Sequence, residues 1–140
     1  MGSYMRVERT NLEITKKQAK GIVLECRRAN EEFDWEIEEE CLKNLGTILE
    51  YLGLEFEKIE EDEIEETEEK YVLESYSDIV YYDYNFENIL SIIAKYLDKN
   101  KRFFIIVNWE DYDERTKYIL QNGRLSEIAE IKKWADDIDD

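Results

Sequence analysis

Apolar residues in the first third of the chain recur at the three- and four-residue intervals typical of amphipathic helices. The first series follows a predicted capping box of Thr15 and Gln18 and comprises Ala19, Ile22, Val23, Cys26 and Ala29. The second series lies between a polar break at 30–34 and Gly53, a typical helix-end residue, and comprises Ile37, Cys41, Leu45, Ile48, Leu49 and Leu52. Two helices joined by so short a break predict an antiparallel pair.

The spacing changes after Gly53. Alternating apolar residues at 54–59 predict a short strand or an extended segment. The aromatic and β-branched residues of 71–76 and 79–82 predict two strands on either side of a turn at 77–78. Asn85 is then expected to cap a third helix, whose apolar series is Phe86, Ile89, Leu90, Ile93, Tyr96 and Leu97.

The last third of the chain predicts the centre of a sheet. Residues 103–107 form a continuous apolar run, which is typical of a strand buried on both faces. Asn122 and Gly123 suit the two positive-φ positions of a type I′ turn, so they predict a hairpin between the segments around them. Beyond this hairpin, 127–134 is expected to continue as a strand or to begin a terminal helix.

Because helices come first and strands cluster late, the pattern predicts an α+β fold. It has two leading helices, then a mainly antiparallel sheet of four to five strands with one further helix packed on it. Residues 6–135 are expected to form one domain that includes a mobile acidic segment at 60–70. The start, 1–5, resembles a disordered tag remnant, and 136–140 resembles a frayed acidic tail. The second face of the sheet has no helix predicted for it and is expected to be free for binding.

Composition excludes several functions. The 140 residues include 36 acidic and 19 basic side chains and no histidine, for a formal charge of -17. Direct nucleic-acid binding is excluded because phosphate recognition needs a basic patch. Catalysis or metal binding that depends on an imidazole is excluded as well. Cys26 and Cys41 are expected to be buried free thiols, with a disulfide as the alternative. No segment is apolar enough for a signal peptide or a membrane span, so we expect a cytoplasmic protein without a membrane partner.

Motifs for catalysis are weak. Asp111 and Asp113 lack the glycine and the closing glutamate of a calcium loop. The Glu-x-Lys triplets at 68–70 and 130–132, which a metal-dependent nuclease would use, are no more frequent than chance predicts in so acidic a chain. The carboxylates with an aromatic environment suited to acid–base work are Glu74, Asp78 and Asp83. Five glycines provide no phosphate-binding loop, so we expect no cofactor and no enzymatic activity.

The acidic charge is concentrated. Residues 55–70 hold 10 acidic and 2 basic side chains, and two further clusters combine acids with tyrosine or tryptophan. Aromatic rings flanked by carboxylates are typical of an interface for a basic protein, in which the rings anchor and the acids steer. The predicted partner-binding residues are Glu60, Glu61, Asp62, Glu63, Glu65, Glu66, Tyr81, Tyr82, Asp83, Tyr84, Trp109, Glu110, Asp111, Tyr112, Asp113 and Glu114.

Three functions are consistent with this charge. The favoured one is a small acidic inhibitor of a basic protein, most simply an immunity protein, or antitoxin, against a bacterial nuclease-type toxin. The α+β class, the size and the Asn122-Gly123 hairpin are similar to those of small bacterial immunity proteins, although no motif is shared. The alternatives are a nucleic-acid mimic of the anti-restriction or anti-CRISPR kind, and an enzyme with a carboxylate-bound metal. A localised acidic run favours an inhibitor that blocks one active site over a nucleic-acid mimic, because a mimic spreads its charge along an extended face.

Overall fold

The computed structural model describes residues 3–63, 66–110 and 114–129. Within them the elements are β1 (Tyr4–Thr10), β2 (Glu13–Thr15), α1 (Lys16–Glu32), a 3₁₀ turn (Glu39–Leu42), α2 (Leu45–Tyr51), β3 (Phe56–Glu63), β4 (Glu66–Leu73), β5 (Val80–Tyr81), α3 (Phe86–Tyr96), β6 (Phe103–Trp109), β7 (Glu114–Gln121) and β8 (Arg124–Ala129).

The fold is α+β, as predicted, and it contains two antiparallel sheets. The larger sheet has the strand order β5-β1-β6-β7-β8, with α3 packed on β7 and β8. The smaller sheet has the order β2-β4-β3. One continuous hydrophobic core joins both sheets to the three helices, and α1 contacts both α2 and α3.

Several local predictions are confirmed. Thr15 and Gln18 form both hydrogen bonds of a capping box at the start of α1, and every member of the first apolar series is buried. The apolar run 103–107 lies in β6, the middle strand of the larger sheet, with all five side chains buried. Asn122 and Gly123 have φ values of 54° and 74°, so they make the predicted hairpin turn between β7 and β8.

The second predicted helix is shorter than expected. Asn44 interrupts the apolar series, because its side chain accepts a hydrogen bond from the Thr47 amide and caps α2. Ile37 therefore precedes a separate 3₁₀ turn, and positive φ values at Asp34 and Glu36 bend the chain before it. The apolar series is still buried in the core although the helix is divided, except for Cys41, which is half-buried.

Two strands precede α1, where no strand was predicted. Tyr4 and Met5, which we expected within a disordered start at 1–5, begin β1. Met5 is fully buried because β1 lies between β5 and β6, where Met5 pairs with Val80 on one side and with Trp109 on the other. Residues 1–2 lie outside the described residues. So do 130–140, which include the expected acidic tail and the second Glu-x-Lys triplet.

The segment 60–70, expected as a mobile run, lies in two paired strands. Its residues belong to β3 and β4 on either side of 64–65, which lie outside the described residues. The pairing is antiparallel over the full length of both strands. An alternating apolar pattern at the base of this hairpin, in Phe56, Tyr71 and Leu73, anchors the pair to the core.

The second face of the larger sheet carries a small apolar cluster of its own. Phe104 and Ile106 are buried there beside the half-buried Ile128, separately from the main core. Lys117 pairs with Ile106 in register, and its Nζ lies 5.5 Å from the centre of the Phe104 ring. No helix among the described residues contributes to this cluster.

Candidate functional site

A two-stranded ribbon presents most of the acidic run. β4 is the middle strand of the smaller sheet, but β2 pairs with it only from Lys70 to Val72. Beyond Lys70 no other strand of the described residues pairs with β3 and β4. We call residues 60–63 and 66–69 the acidic ribbon. Its register places Glu60 opposite Glu69, Glu61 opposite Glu68 and Glu63 opposite Glu66.

Two lysines pair with Glu69 at the base of the acidic ribbon. Lys58 Nζ lies 3.0 Å from Glu69 Oε1, and Lys16 Nζ lies 3.7 Å from Glu69 Oε2. The hydrogen bond with Glu69 raises the pKa of Lys58, and the same bond lowers the pKa of Glu69. The sequence supplies no lysine or arginine between Glu60 and Glu69. The strand register thus pairs acidic residues with acidic residues at three of the four positions, and like charges directly opposite each other destabilise a strand pair.

A second acidic feature is a cleft of about 440 Å³ at one end of the larger sheet. We call it the aromatic cleft, and its lining residues are Ser3, Tyr82, Glu87, Trp109, Glu114, Thr116, Tyr118, Glu127 and Ala129. Strand register brings most of them to one face, since Trp109 pairs with Glu114, and Tyr118 pairs with Glu127. Alternate residues of β7 then line the cleft, because side chains on one face of a strand are two residues apart.

Hydrogen bonds hold the aromatic rings of the cleft in place. The Glu87 carboxylate accepts hydrogen bonds from the hydroxyls of Tyr82 and Tyr118, and the oxygen atoms of the Tyr118 bond are 3.4 Å apart. Trp109 Nε1 donates to Thr116 Oγ1 at 2.8 Å, and the Tyr82 ring meets the indole of Trp109 edge-on at 5.0 Å. Each ring therefore has a defined orientation before any ligand binds.

Burial also sets the ionisation of these tyrosines. Desolvation raises the pKa of Tyr82, with a further contribution from its hydrogen bond to Glu87. Desolvation likewise raises the pKa of Tyr118, to which the charges of Glu87 and Glu127 add. Both phenols therefore remain protonated at neutral pH and act as hydrogen-bond donors.

The aromatic cleft has a negative lining. Glu87 is half-buried at its wall, whereas Glu114 and Glu127 are exposed at its rim. The described lining residues include no lysine or arginine. Three carboxylates thus surround three aromatic rings without a neighbouring basic side chain in the lining, which creates a locally negative and partly apolar surface.

The structure brings together only some of the predicted contact residues. Tyr82, Trp109 and Glu114 line the aromatic cleft, and Glu60, Glu61, Asp62, Glu63 and Glu66 belong to the acidic ribbon. Tyr81 and Tyr84 are exposed outside the cleft, where the Tyr81 ring contacts that of Tyr4 edge-on. Glu65, Asp111, Tyr112 and Asp113 lie outside the described residues, and so does the calcium-loop candidate that two of these would form.

Two predicted contact residues have intramolecular roles. Asp83 Oδ2 accepts a hydrogen bond of 2.6 Å from the Tyr51 hydroxyl, and Asp83 Oδ1 accepts one of 2.7 Å from the backbone amide of Asn85. Asp83 therefore links α2 to the start of α3. Glu110 pairs with Arg6 Nη2 at 3.4 Å. These carboxylates have partners within the chain, which makes them weaker candidates for an interface than Glu114 and Glu127, which are exposed at the rim of the cleft.

The cleft residues that the sequence did not predict include Glu87, Thr116, Tyr118 and Glu127. A signal existed for three of them, because the two-residue turn at Asn122-Gly123 dictates that Tyr118 faces Glu127 and that Thr116 faces Ala129. No local signal predicts the approach of Glu87, which reaches the cleft from the first turn of α3.

Other candidate chemistry gains no support. Among the described residues, no three acidic or cysteine side chains are grouped as a metal site would require. Cys26 is a buried free thiol, as predicted, and Cys41 is a free thiol that is only half-buried. In the part of the chain that is described, every helix is too short or too polar to cross a bilayer.

Comparison of the chain with protein-family models, with curated proteins and with solved structures found no match.

Proposed function

We propose that this protein binds a basic protein and blocks its working surface, as an immunity protein blocks a nuclease-type toxin in the cytoplasm. The observation that supports this proposal is the acidic ribbon, in which glutamates face glutamates beyond the last three-stranded pairing. In this proposal the protein has no catalytic activity and needs no cofactor.

The ribbon's charge arrangement favours a cationic partner. Cross-strand pairs of like charge cost the free protein stability, by about 0.2–1 kcal/mol each. Lysine and arginine side chains of a partner would replace that repulsion by attraction, so part of the binding free energy would come from relief of an unfavourable arrangement. The overall charge of -17 would also steer a basic partner, with an acceleration of about 10- to 1,000-fold at low salt.

The shape of the ribbon suits insertion into a cleft. Four residue pairs at about 3.3 Å per residue extend roughly 13 Å beyond Lys70, and the two strands are about 4.8 Å apart. A nuclease binds its substrate in a positively charged cleft, because it must neutralise phosphates. A narrow acidic ribbon anchored on a rigid base can enter such a cleft and exclude the nucleic acid.

One observation favours the second candidate, a nucleic-acid mimic. The acidic ribbon holds seven carboxylate residues. Over about 13 Å this corresponds to one charge per roughly 2 Å, close to the ~1.7 Å per charge of duplex DNA. The spread of charge along an extended face that a nucleic-acid mimic requires is thus present over a short length of the ribbon. The two candidates share the same class of target, a protein with a phosphate-binding surface, and differ in how specific the contacts are.

Affinity capture with two matched charge variants tests the proposal. The ribbon variant replaces Glu60, Glu61, Asp62, Glu63, Glu66 and Glu68 by their amides. The control variant replaces six exposed glutamates elsewhere by glutamine: Glu31, Glu32, Glu36, Glu38, Glu39 and Glu40. Both variants lose six charges, so they differ only in where the loss occurs. Lysates are passed over each immobilised protein and washed with increasing salt.

We expect the wild type and the control to retain one basic nuclease above about 0.5 M salt, where long-range attraction is screened, and we expect the ribbon variant to lose it. The captured protein should also lose nuclease activity when it is mixed with the wild type. Retention of many nucleic-acid-binding proteins that elute together at modest salt would favour the mimic. Equal retention by all three baits would contradict a role for the ribbon.

A further inference from the structure

We infer that the aromatic cleft is a binding site for one cationic side chain of the partner, an arginine guanidinium in preference to a lysine ammonium. This inference rests on the proposed function for the source of the cation, but its chemistry rests on the cleft alone. The cleft and the acidic ribbon are separate features, built on different sheets.

The lining of the cleft matches the chemistry of an organic cation. Cations bind over the faces of aromatic rings, where the ring quadrupole is negative, with a gain of about 0.5–2 kcal/mol per ring. Tyr82 and Trp109 provide two half-buried rings in the cleft of about 440 Å³, whereas Tyr118 is almost completely buried in its wall. Glu87, Glu114 and Glu127 supply negative charge around them. A neutral or anionic ligand would leave these carboxylates without compensation.

The site is organised in advance of binding. The hydroxyls of Tyr82 and Tyr118 donate to Glu87, which orients this carboxylate and leaves it further acceptor capacity, because an ionised carboxylate has about four lone-pair sites. Trp109 is held by Thr116. A guest that donates hydrogen bonds to Glu87 therefore meets groups that need little reordering, and this lowers the entropic cost of binding.

A guanidinium fits these groups better than a metal ion or an ammonium does. Mg²⁺ and Ca²⁺ need about six or more oxygen ligands, and the described residues contain no group of three acidic or cysteine side chains that could hold a metal ion. A guanidinium is planar, stacks on aromatic rings and can donate two parallel hydrogen bonds to one carboxylate. The exposed Glu114 and Glu127 at the rim can pair with the outer N–H groups of the same guanidinium or with a neighbouring basic residue of the partner.

Titration of the isolated protein with small ions tests this inference without any partner. Methylguanidinium is the probe, methylammonium the competitor and methylurea the neutral control of similar shape. The readout is the indole N–H resonance of Trp109, which is assigned from a Trp109→Phe variant. We expect a saturable shift with a dissociation constant in the millimolar range, which corresponds to about -4 kcal/mol, a weaker effect of methylammonium and no saturable effect of methylurea.

Two sets of variants locate the site. Glu114→Gln combined with Glu127→Gln alters exposed side chains, so it is expected to fold normally and to weaken methylguanidinium binding about tenfold. Glu87→Gln is expected to weaken it further. Glu110→Gln is the matched control, because Glu110 lies next to β6 but pairs with Arg6 outside the cleft, and it should leave the affinity within about twofold. Equal shifts with methylurea, or an unchanged affinity in the double variant, would overturn the inference.

The source of the cation is tested separately. A partner side chain is supported if free arginine and spermidine bind only at millimolar concentration while the double variant loses captured partner. Micromolar affinity for free arginine or spermidine would instead identify a small-molecule site and overturn the assignment to a partner. The ribbon variant should bind methylguanidinium normally. If the ribbon variant loses the captured partner but methylguanidinium does not bind to the wild type, the proposed function is still supported and only this inference is wrong.

Discussion

Glu87, in the first turn of α3, accepts a hydrogen bond from the hydroxyl of Tyr118 on β7, with 3.4 Å between the oxygen atoms. The two residues are 31 positions apart in the chain, and Tyr118 is almost completely buried. This contact ties the helix to the sheet on which it packs, and it positions a carboxylate at the wall of the aromatic cleft. Glu87 thus has a structural and a binding role at once.

Replacement of Glu87 by leucine should destabilise the fold. The hydroxyls of Tyr82 and Tyr118 would lose their acceptor, and a buried unpaired donor costs about 1–3 kcal/mol. Urea unfolding followed by circular dichroism measures the loss. The double variant Glu87→Leu with Tyr118→Phe removes one of the unpaired hydroxyls, so it should recover part of the stability. No recovery would mean that the hydrogen bond to Tyr118 contributes little.

Stability should fall at alkaline pH. Burial raises the pKa of Tyr51, Tyr82 and Tyr118 above the ordinary value in the folded protein. The unfolded chain therefore releases these protons near pH 10 while the folded chain retains them, so the stabilisation is complete below about pH 10 and is lost as pH rises toward the folded-state pKa values. Unfolding free energies measured from pH 8 to 11 test this slope. Tyr118→Phe should make it shallower, and an unchanged slope would contradict the role of Tyr118.

Replacement of Glu68 by lysine should stabilise the free protein and weaken partner binding. The change places a cation opposite Glu61 and converts a repulsive pair into an attractive one, which is worth about 0.2–1 kcal/mol in a strand pair. Urea unfolding at low and high salt measures the gain, which should shrink as salt screens it. Equal stability at low salt would show that the facing glutamates do not repel each other appreciably.

Gly21→Ala should destabilise the protein although alanine is the better helix former. The substitution gains about 1 kcal/mol of helix propensity in α1. A Cβ at this position would collide with the ring of Tyr96, however, so this ring would have to shift from its hydrogen bond with Glu25 or α1 and α3 would have to separate. Overpacking of this kind costs about 1–3 kcal/mol, and we expect a net loss in thermal unfolding. Lys20→Ala, on the exposed side of the same helix, is the control and should not lower the melting temperature.

The two thiols should react at different rates. Burial raises the pKa of Cys26 to about 12, and its side chain is inaccessible in the folded protein. Cys41 is only half-buried, although its pKa is also raised by burial and by Glu38 and Glu40. A thiol reagent at pH 8 should therefore modify Cys41 first and Cys26 only on unfolding. Two equal rates in the folded protein would contradict the burial of Cys26.

Short-range patterns predicted the elements that are stabilised locally. The capping box of Thr15 and Gln18, the run at 103–107 and the turn at Asn122-Gly123 all depend on residues within a few positions of one another, and all are present. β1 was missed because its apolar positions are few, and Met5 is buried only through pairing with two strands that lie more than 70 residues away.

The candidate site shows the same division. Amino-acid composition by itself determined the strong negative charge, and residue order determined that acids and aromatic rings would lie close together at 81–84 and 109–114. Only the tertiary structure decided which of them share a surface. The aromatic cleft brings together Tyr82, Trp109 and Glu114, which belong to or follow three different strands. Asp83, next to Tyr82 in the chain, instead accepts a hydrogen bond from Tyr51.

The acidic run is the clearest case. Sequence alone determined its charge, and because like charges weaken an isolated helix, it indicated a mobile segment. Pairing of β3 with β4 instead extends the run into a ribbon, because Phe56, Tyr71 and Leu73 anchor its base in the core. The free energy of their burial offsets the repulsion between the opposed glutamates. Charge is a property of the residues themselves. The position of that charge depends on burial between segments distant in the chain, which only the tertiary structure decided.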